Sequence, residues 1–301
     1  MPLINQIHVD SLLSNVSLKH KVSGFIAMDL FPELQVKKSS DLYRVYQRNF
    51  RIPETKRAAK AEARQWSFDV STATYALERH ALKDFVSDTE AENYDLADLR
   101  AEVTEELTEK ILMRLEKSVA DMFTVTSWSQ NMSLAATAAW NATTTVDPVA
   151  HFDTGTVQIV TNAQVKPNVA AMGLSQFNAF KNNFQVLDRI KYTSKELGPD
   201  IAGALIGVDK MLIATASNDT AALGVADSVS AIWGDIAVLA YAPPAPGPLK
   251  VSAGYIIRRN IPMVKRWRVE ERESECVEVN MEYQAKIISS LAGFMINDVT
   301  V

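Results

Sequence analysis

The chain has 301 residues, 47% hydrophobic and 22% charged, with a formal net charge of −5, enough to bury a substantial core as one large or two modest domains. That balance argues against a dedicated nucleic-acid binder, which carries a basic excess, but it is compatible with enclosing nucleic acid without gripping it. Cys276 is the only cysteine and no long apolar run occurs, so no intrachain disulfide forms, a reducing compartment is expected, no membrane is spanned, and the start at Met1-Pro2-Leu3 lacks the pattern of a signal peptide.

Residues 1–40 do not read as a compact unit. Val9 to Val16 fits a short helix, and Phe31-Pro32-Glu33 reads as a break into an extended segment. Such an arm must find its partners on its own body or on a neighbouring subunit. Leu42-Tyr43-Arg44-Val45-Tyr46 and Trp66-Ser67-Phe68-Asp69-Val70 carry the alternation and the aromatic and β-branched residues of strands. Between them Arg51, Lys56, Arg57, Lys60 and Arg64 lie among alanines and Pro53, with no large apolar residue after Ile52. This segment folds over no core of its own. It is either a long two-stranded excursion with a basic tip, or a basic loop or nucleic-acid arm, though the tip lacks the interleaved aromatics of the last. An isolated hairpin is marginal in water, so one this long needs a partner surface.

Residues 71–94 carry the chain into a rod. From Asp95 to about Val125, Leu96, Leu99, Val103, Leu107, Ile111, Leu115, Val119 and Met122 recur at steps of three or four with no Gly or Pro between them. Asp95 is a plausible N-cap, and Asp98, Glu102, Glu105 and Glu106 suit the positive end of the helix dipole. A helix of that extent is roughly 45 Å long.

Residues 126–150, with Trp128, Trp140 and an Ala/Thr stretch, read as a loose connection and a soft boundary. Beyond it Val157 to Val160 fits a strand or a helix start, Ser175 to Phe180 a short helix, and Met211 to Ala214 and Ile236 to Tyr241 buried strands. The glycine-spaced run from Gly198 to Gly207 lacks the Gly-Lys-Ser/Thr that grips a phosphate. Ala242 to Pro248 is a stiff extended loop. Tyr255 to Arg259, Met263 to Val269 and Cys276 to Ile288 read as long strands around an acidic tip that includes Glu271, Glu273 and Glu275. On the last strand Val277, Val279, Met281 and Tyr283 share one face, and Glu278, Asn280 and Glu282 the other.

Taken together, Thr55-Lys56-Arg57-Ala58, Phe68-Asp69-Val70-Ser71-Thr72-Ala73-Thr74-Tyr75, Ala81-Leu82-Lys83, Asp88 and the long helix, with Leu30-Phe31-Pro32 upstream and Ile232-Trp233-Gly234 downstream, resemble the major capsid proteins of tailed bacteriophages. The resemblance covers most of the chain in the right order. It implies the α+β, Hong Kong 97-type capsid fold: an N-terminal arm at 1–40, an extended hairpin loop at 41–75, a peripheral domain at 76–150 with a spine helix at 95–125, and an axial α/β domain at 151–253. Long strands of the peripheral domain at 254–288 and a return to the axial domain at 289–301 complete it. It implies self-assembly into hexamers and pentamers of an icosahedral head enclosing double-stranded DNA, after assembly in the host cytoplasm. A separate scaffolding protein, a portal and, where present, decoration proteins would be the partners, and the start of the chain almost directly at the arm points to scaffold supplied in trans.

The contact candidates between subunits are Arg51, Lys56, Arg57, Lys60, Arg64 and Trp66 on the hairpin and Glu271, Glu273 and Glu275 on the acidic tip, whose opposite charges would meet across subunits. Two solvated tips are the alternative. No active site, metal site or cofactor is expected: His8, His20, His80 and His151 are scattered, and Glu275 and Glu278 beside Cys276 raise rather than lower a thiol pKa. Some related capsids join a loop lysine to a neighbour's asparagine. Lys56 or Lys60 would stand in that place, but no local feature identifies an acceptor. Encapsulin nanocompartments share the fold and enclose enzymes instead, and a soluble two-domain enzyme is the reading from another class.

Overall fold

The computed structural model describes residues 8–9, 24–46, 52, 54–57, 62–63, 65, 70–93, 98–191, 197–222, 224–247, 250–259 and 263–301. In chain order come β1 (His8–Val9), α1 (Ala27–Leu30), β2 (Glu33–Gln35), β3 (Ser40–Tyr46), β4 (Val70–Ala76), β5 (Glu78–Ser87) and α2 (Asp88–Asn93). Then follow α3 (Leu99–Ala120), β6 (Asn131–Ser133), α4 (Pro148–Ala163), β7 (Val169–Gly173), α5 (Leu174–Asn182), α6 (Phe184–Ile190) and α7 (Pro199–Ile206). The remainder is β8 (Lys210–Ala214), β9 (Ser217–Asp219), β10 (Val229–Ala231), β11 (Ile236–Ala240), β12 (Gly254–Arg258), β13 (Met263–Val269), β14 (Ser274–Ile287) and β15 (Gly293–Asn297).

The long helix α3 is shorter than its sequence pattern suggests. Asp98 caps it, its side chain accepting from the Arg100 N–H at 3.1 Å. Asp95 and Leu96, the expected start, lie outside the described residues. At the other end the helix stops at Ala120 and not near Val125. Phe123 is buried, with its ring centroid 5.1 Å from Trp128, 5.4 Å from Trp233 and 5.7 Å from Phe31. The chain leaves the helical path at Asp121–Thr124 to seat that ring. Tertiary packing therefore overrides a periodicity that runs on through Met122, and the rod is about 33 Å long.

Two sheets flank this helix. In the larger, β14 is the spine: β13 pairs antiparallel along Ser274–Asn280, β12 along Tyr283–Ile287, and β5 covers the opposite edge from Ser274 to Tyr283. β2 joins parallel to β12, and β1 adds His8 and Val9 to the edge of β13. Val9 thus stands in a strand, and the rest of the short helix expected at Val9–Val16 lies outside the described residues. Strand β5 was not legible in the sequence. It is an edge strand, mostly exposed and poor in β-branched residues, held by its partner more than by its own propensity.

The smaller sheet runs β6-β15-β11-β7-β8. Both of its faces are covered, which is why β7 and β15 are buried at every position. On one face Ala170, Met172, Leu239, Phe294 and Ile296 pack with Phe152, Phe177, Phe180 and Ile206 of the helices. On the other, Val169, Ala171, Val238 and Met295 join the core of α3 and the larger sheet.

The segment 126–150 is not a loose connection. Trp128 and Trp140 are each 1% exposed, and β6 pairs parallel to β15. Val157 to Val160 lies within α4, which starts at Asp147, whose side chain accepts from the Val149 N–H, with Pro148 in the first turn. The glycine-spaced run forms α7. Gly207 ends it at φ +82°, a left-handed turn that suits glycine.

Candidate assembly surfaces

The first turn of α1, the helix α3 and the loop before β11 meet at one buried carboxylate. Glu116 is 1% exposed. Its oxygens accept from the backbone N–H of Ile26 at 3.0 and 3.1 Å, from that of Ala27 at 2.9 Å, and from the indole Nε1–H of Trp233 at 2.6 Å. The two amides belong to the first turn of α1, whose free N–H groups favour an anion. Phe31, at the end of the same turn, packs on Phe123 and against Gly254, where a Cβ would come within 2.6 Å of the ring. Burial pushes the Glu116 carboxyl pKa up, against the lowering effect of its three donors. The sequence reading missed this residue. The available signal was its place four positions after Leu112 and three before Val119, inside the apolar arc of α3.

The hairpin β3–β4 pairs from Ser40–Ala76 to Tyr46–Val70 and belongs to neither large sheet. Its root is clamped. Tyr75 is buried with Tyr255 and Ile257, flanked by Leu34, Tyr43 and Ile288. Gln284 accepts from the Ala76 N–H at 3.0 Å, and the Lys286 ammonium donates to the Thr74 carbonyl while lying 5.5 Å from the Tyr43 ring centroid. Farther out, Leu42 is 62% exposed.

Of the hairpin candidates, Lys56 and Arg57 are exposed. Arg51, Lys60, Arg64 and Trp66 lie outside the described residues. Strand β4 is described from Val70, so the remainder of the expected strand at Trp66–Asp69 also falls outside. The acidic tip is a 3-10 turn, Glu270–Arg272, closed by Glu273 at φ +45°. Glu271 and Glu273 are exposed there. Glu275 is half-buried and already engaged, its Oε2 2.5 Å from Arg100 Nε of α3. Arg268 grips Asp88 through two contacts of 2.5 and 2.6 Å, fixing the tip to the start of α2. The predicted faces of β14 are observed: Val277, Val279, Met281 and Tyr283 are buried, while Glu278, Asn280 and Glu282 are partly exposed.

Cys276 is buried, and burial is the main cause that pushes its thiol pKa up. His80 stacks on Tyr283 at 4.2 Å between ring centroids. His151 Nδ1 accepts from the Trp140 indole at 3.1 Å, and burial lowers the pKa of both histidines. Among the described residues no three His, Cys, Asp or Glu side chains are grouped to hold a metal, and no helix is long and apolar enough to cross a membrane.

The structure superposes on the capsid of the cyanophage P-SCSP1u with a TM-score of 0.63 at 11% identity, over 90% of this chain and 87% of that one. The chain has the Hong Kong 97-type capsid fold. A phage-related protein from Bordetella bronchiseptica RB50 matches this capsid fold with a TM-score of 0.80 at 23% identity, over 97% of this chain and 98% of that one. In sequence, the major capsid protein of Burkholderia phage BcepMu is 26% identical over 304 aligned residues, 97% of this chain and 96% of that protein. No family model matches.

Proposed function

We propose that the chain is the major capsid protein of a tailed bacteriophage, the repeated subunit of an icosahedral head. The observation that carries this is the end-to-end sequence likeness to the BcepMu major capsid protein, 97% of one chain against 96% of the other. The role is structural and not enzymatic. Subunits form hexamers and pentamers that enclose double-stranded DNA without reading its sequence. The division we propose is the arm at 1–40, hairpin loop at 41–75, peripheral domain at 76–150 joined by 254–288, and axial domain at 151–253 closed by 289–301. A scaffolding protein and a portal take part in assembly in the host cytoplasm.

The physical support lies in what the subunit leaves uncovered. The described tip residues Ile52 and Glu54 to Arg57 are all exposed, and a ribbon of seven residue pairs gains little stability alone in water. Its cover comes from another copy.

Electron microscopy and sedimentation of the full chain, expressed alone and with its scaffold, test the reading. Closed shells or capsomer rings are expected, with DNA inside shells recovered from infected cells. A chain that stays monomeric when scaffold is supplied would overturn it. Shells filled with an enzyme in place of DNA would convert the head into a nanocompartment.

A further inference from the structure

The proline-rich loop after β11 has no part in the contacts described so far. Its exposed stretch is Pro244-Ala245-Pro246, where proline fixes φ and presets an extended, polyproline II path of about 9 Å with no internal hydrogen bonds. Both ends are pinned. At one, the Asn168 side chain donates to the Ala242 carbonyl at 2.7 Å and accepts from the Ala242 N–H at 2.8 Å. At the other, the Tyr255 hydroxyl donates to the Gly247 carbonyl at 3.3 Å. A ribbon already held in its extended form loses little entropy when it binds.

A groove of about 520 Å³ carries the complementary chemistry. One wall is a face of α5, with Ser175, Asn178, Ala179 and Asn182 at helical spacing over about 10 Å. The other is the loop 140–144, tied to Val301 by Asn141, which donates to the Val301 carbonyl and accepts from its N–H, each at 3.0 Å. Phe184, at the start of α6, also lines the groove and is 56% exposed. No side chain among the described lining residues is charged, and none from Ala242 to Gly247 is either, so neither surface gives up a solvated ion on contact. An open aromatic ring beside side-chain amides suits polyproline II: the ring packs on a proline, and the amides donate to carbonyls that have no partner of their own. Within one chain the two features lie at opposite ends of the smaller sheet. The loop follows Ala240, which pairs with Gly293, whereas Val301 lies beyond Asn297, which pairs with Ile236. Five residues of β11, about 17 Å of strand, stand between them.

We propose that this groove receives the Pro244-Ala245-Pro246 ribbon of a second copy of the chain: a proline packs on Phe184, and Asn178 and Asn182 donate to the ribbon's carbonyls. This rests on the assembly reading above and gives it a specific contact. The contact is heterologous, so repeating it closes a ring if the rotation allows. With no charge on either side, it persists in salt that screens ion pairs.

The test uses the full chain. In the double variant Ala245→Cys, Asn178→Cys, shells assembled under reducing conditions and then treated with oxidised glutathione should yield a ladder of disulfide-linked species on a non-reducing gel. Each single variant should yield no ladder, because Cys276 is buried. As a second measurement, Phe184→Ala and the pair Pro244→Ala, Pro246→Ala should each lower shell yield about tenfold, equally at low and high salt, and the three substitutions together should lower it no further. Urea unfolding midpoints of the isolated variants should stay unchanged, since these side chains are exposed; should one fall, the ladder decides alone. Shells from the double-cysteine variant that give no ladder, or only an intrachain disulfide, would overturn the docking while leaving assembly intact. Full yield from Phe184→Ala, or losses that multiply in the triple variant, would do the same. So would a photocrosslinker at Asn178 that captures scaffold in place of a second copy. Absence of shells from the wild-type chain with scaffold would instead overturn the assembly reading, and the docking with it.

Discussion

At Glu116 two large effects oppose each other, and their balance has a measurable sign. Desolvation disfavours the charged carboxylate, and three N–H donors favour it; the first is larger, so the folded-state pKa stands above the unfolded value. A group of this kind adds stability below its unfolded pKa that is lost as pH rises through its folded pKa. The isolated wild-type chain should therefore lose stability relative to Glu116→Ala as pH climbs above about 4.5, near the ordinary carboxyl value. Urea unfolding midpoints of the two proteins across pH 4 to 8 check this. A constant difference would contradict the assignment. At pH 4 the alanine variant should be less stable by about 3 kcal/mol, because it leaves buried donors without an acceptor, and that deficit should shrink as pH rises. Trp233→Phe removes one donor and should cost about 2 kcal/mol, read from the same midpoints. Leu30-Phe31-Pro32 and Ile232-Trp233-Gly234 stood out in the sequence as motifs, but nothing in it brought them together. Glu116 did not stand out. A glutamate in a helix rich in solvated glutamates gives no sign of its burial until the arm and Trp233 arrive from distant parts of the chain.

Elements differ in how much of their reason lies in their own residues. Strand β14 alternates so regularly that its buried and open faces follow from its letters. Strand β5, by contrast, carries Glu78-Arg79-His80-Ala81-Leu82-Lys83, which would suit a helix surface equally well; only the ladder with β14 makes it a strand. The hairpin lies between these cases. Its first strand was legible; the second, expected at Trp66–Val70, is described at Val70–Ala76, and its clamp was not legible, because Gln284 and Lys286 act across the fold. The small cluster of Tyr75, Tyr255 and Ile257 is separate from both main cores, so the ribbon should open independently of the body. Tyr75→Ala should leave the global unfolding midpoint nearly unchanged while speeding amide exchange in β3 and β4 about 100-fold, for a local loss of about 3 kcal/mol. Equal acceleration throughout the sheets would show that the ribbon is part of one cooperative unit.

For the whole molecule, the proposed assembly would cover the exposed ribbon and tip with neighbouring copies and add stabilising surface there. Binding of copies to the folded state raises its apparent stability by mass action. Assembled shells should consequently unfold at a temperature at least 10 °C above that of the isolated chain, and the gap should narrow when Lys56→Glu weakens assembly. Differential scanning calorimetry of shells and of dissociated subunits at equal chain concentration measures it, and coincident transitions would count against overlapping contacts as the main source of strength. The mixture of helix and sheet and the long helix were readable from the chain. The way the parts interlock was not, because one continuous core joins α3 to both sheets.

The order of strands in the smaller sheet also bears on when the subunit becomes competent. β15 lies between β6 and β11, so Asn131 waits for Met295, and Val238 on the other side waits for the same residue. During synthesis the first of these strands emerges long before its partner exists, and the covered sheet closes only once Gly293–Asn297 has been made. A growing polypeptide therefore lacks the finished wall on which neighbours would pack. The topology acts as a clock, tying closure of the covered sheet to the arrival of β15.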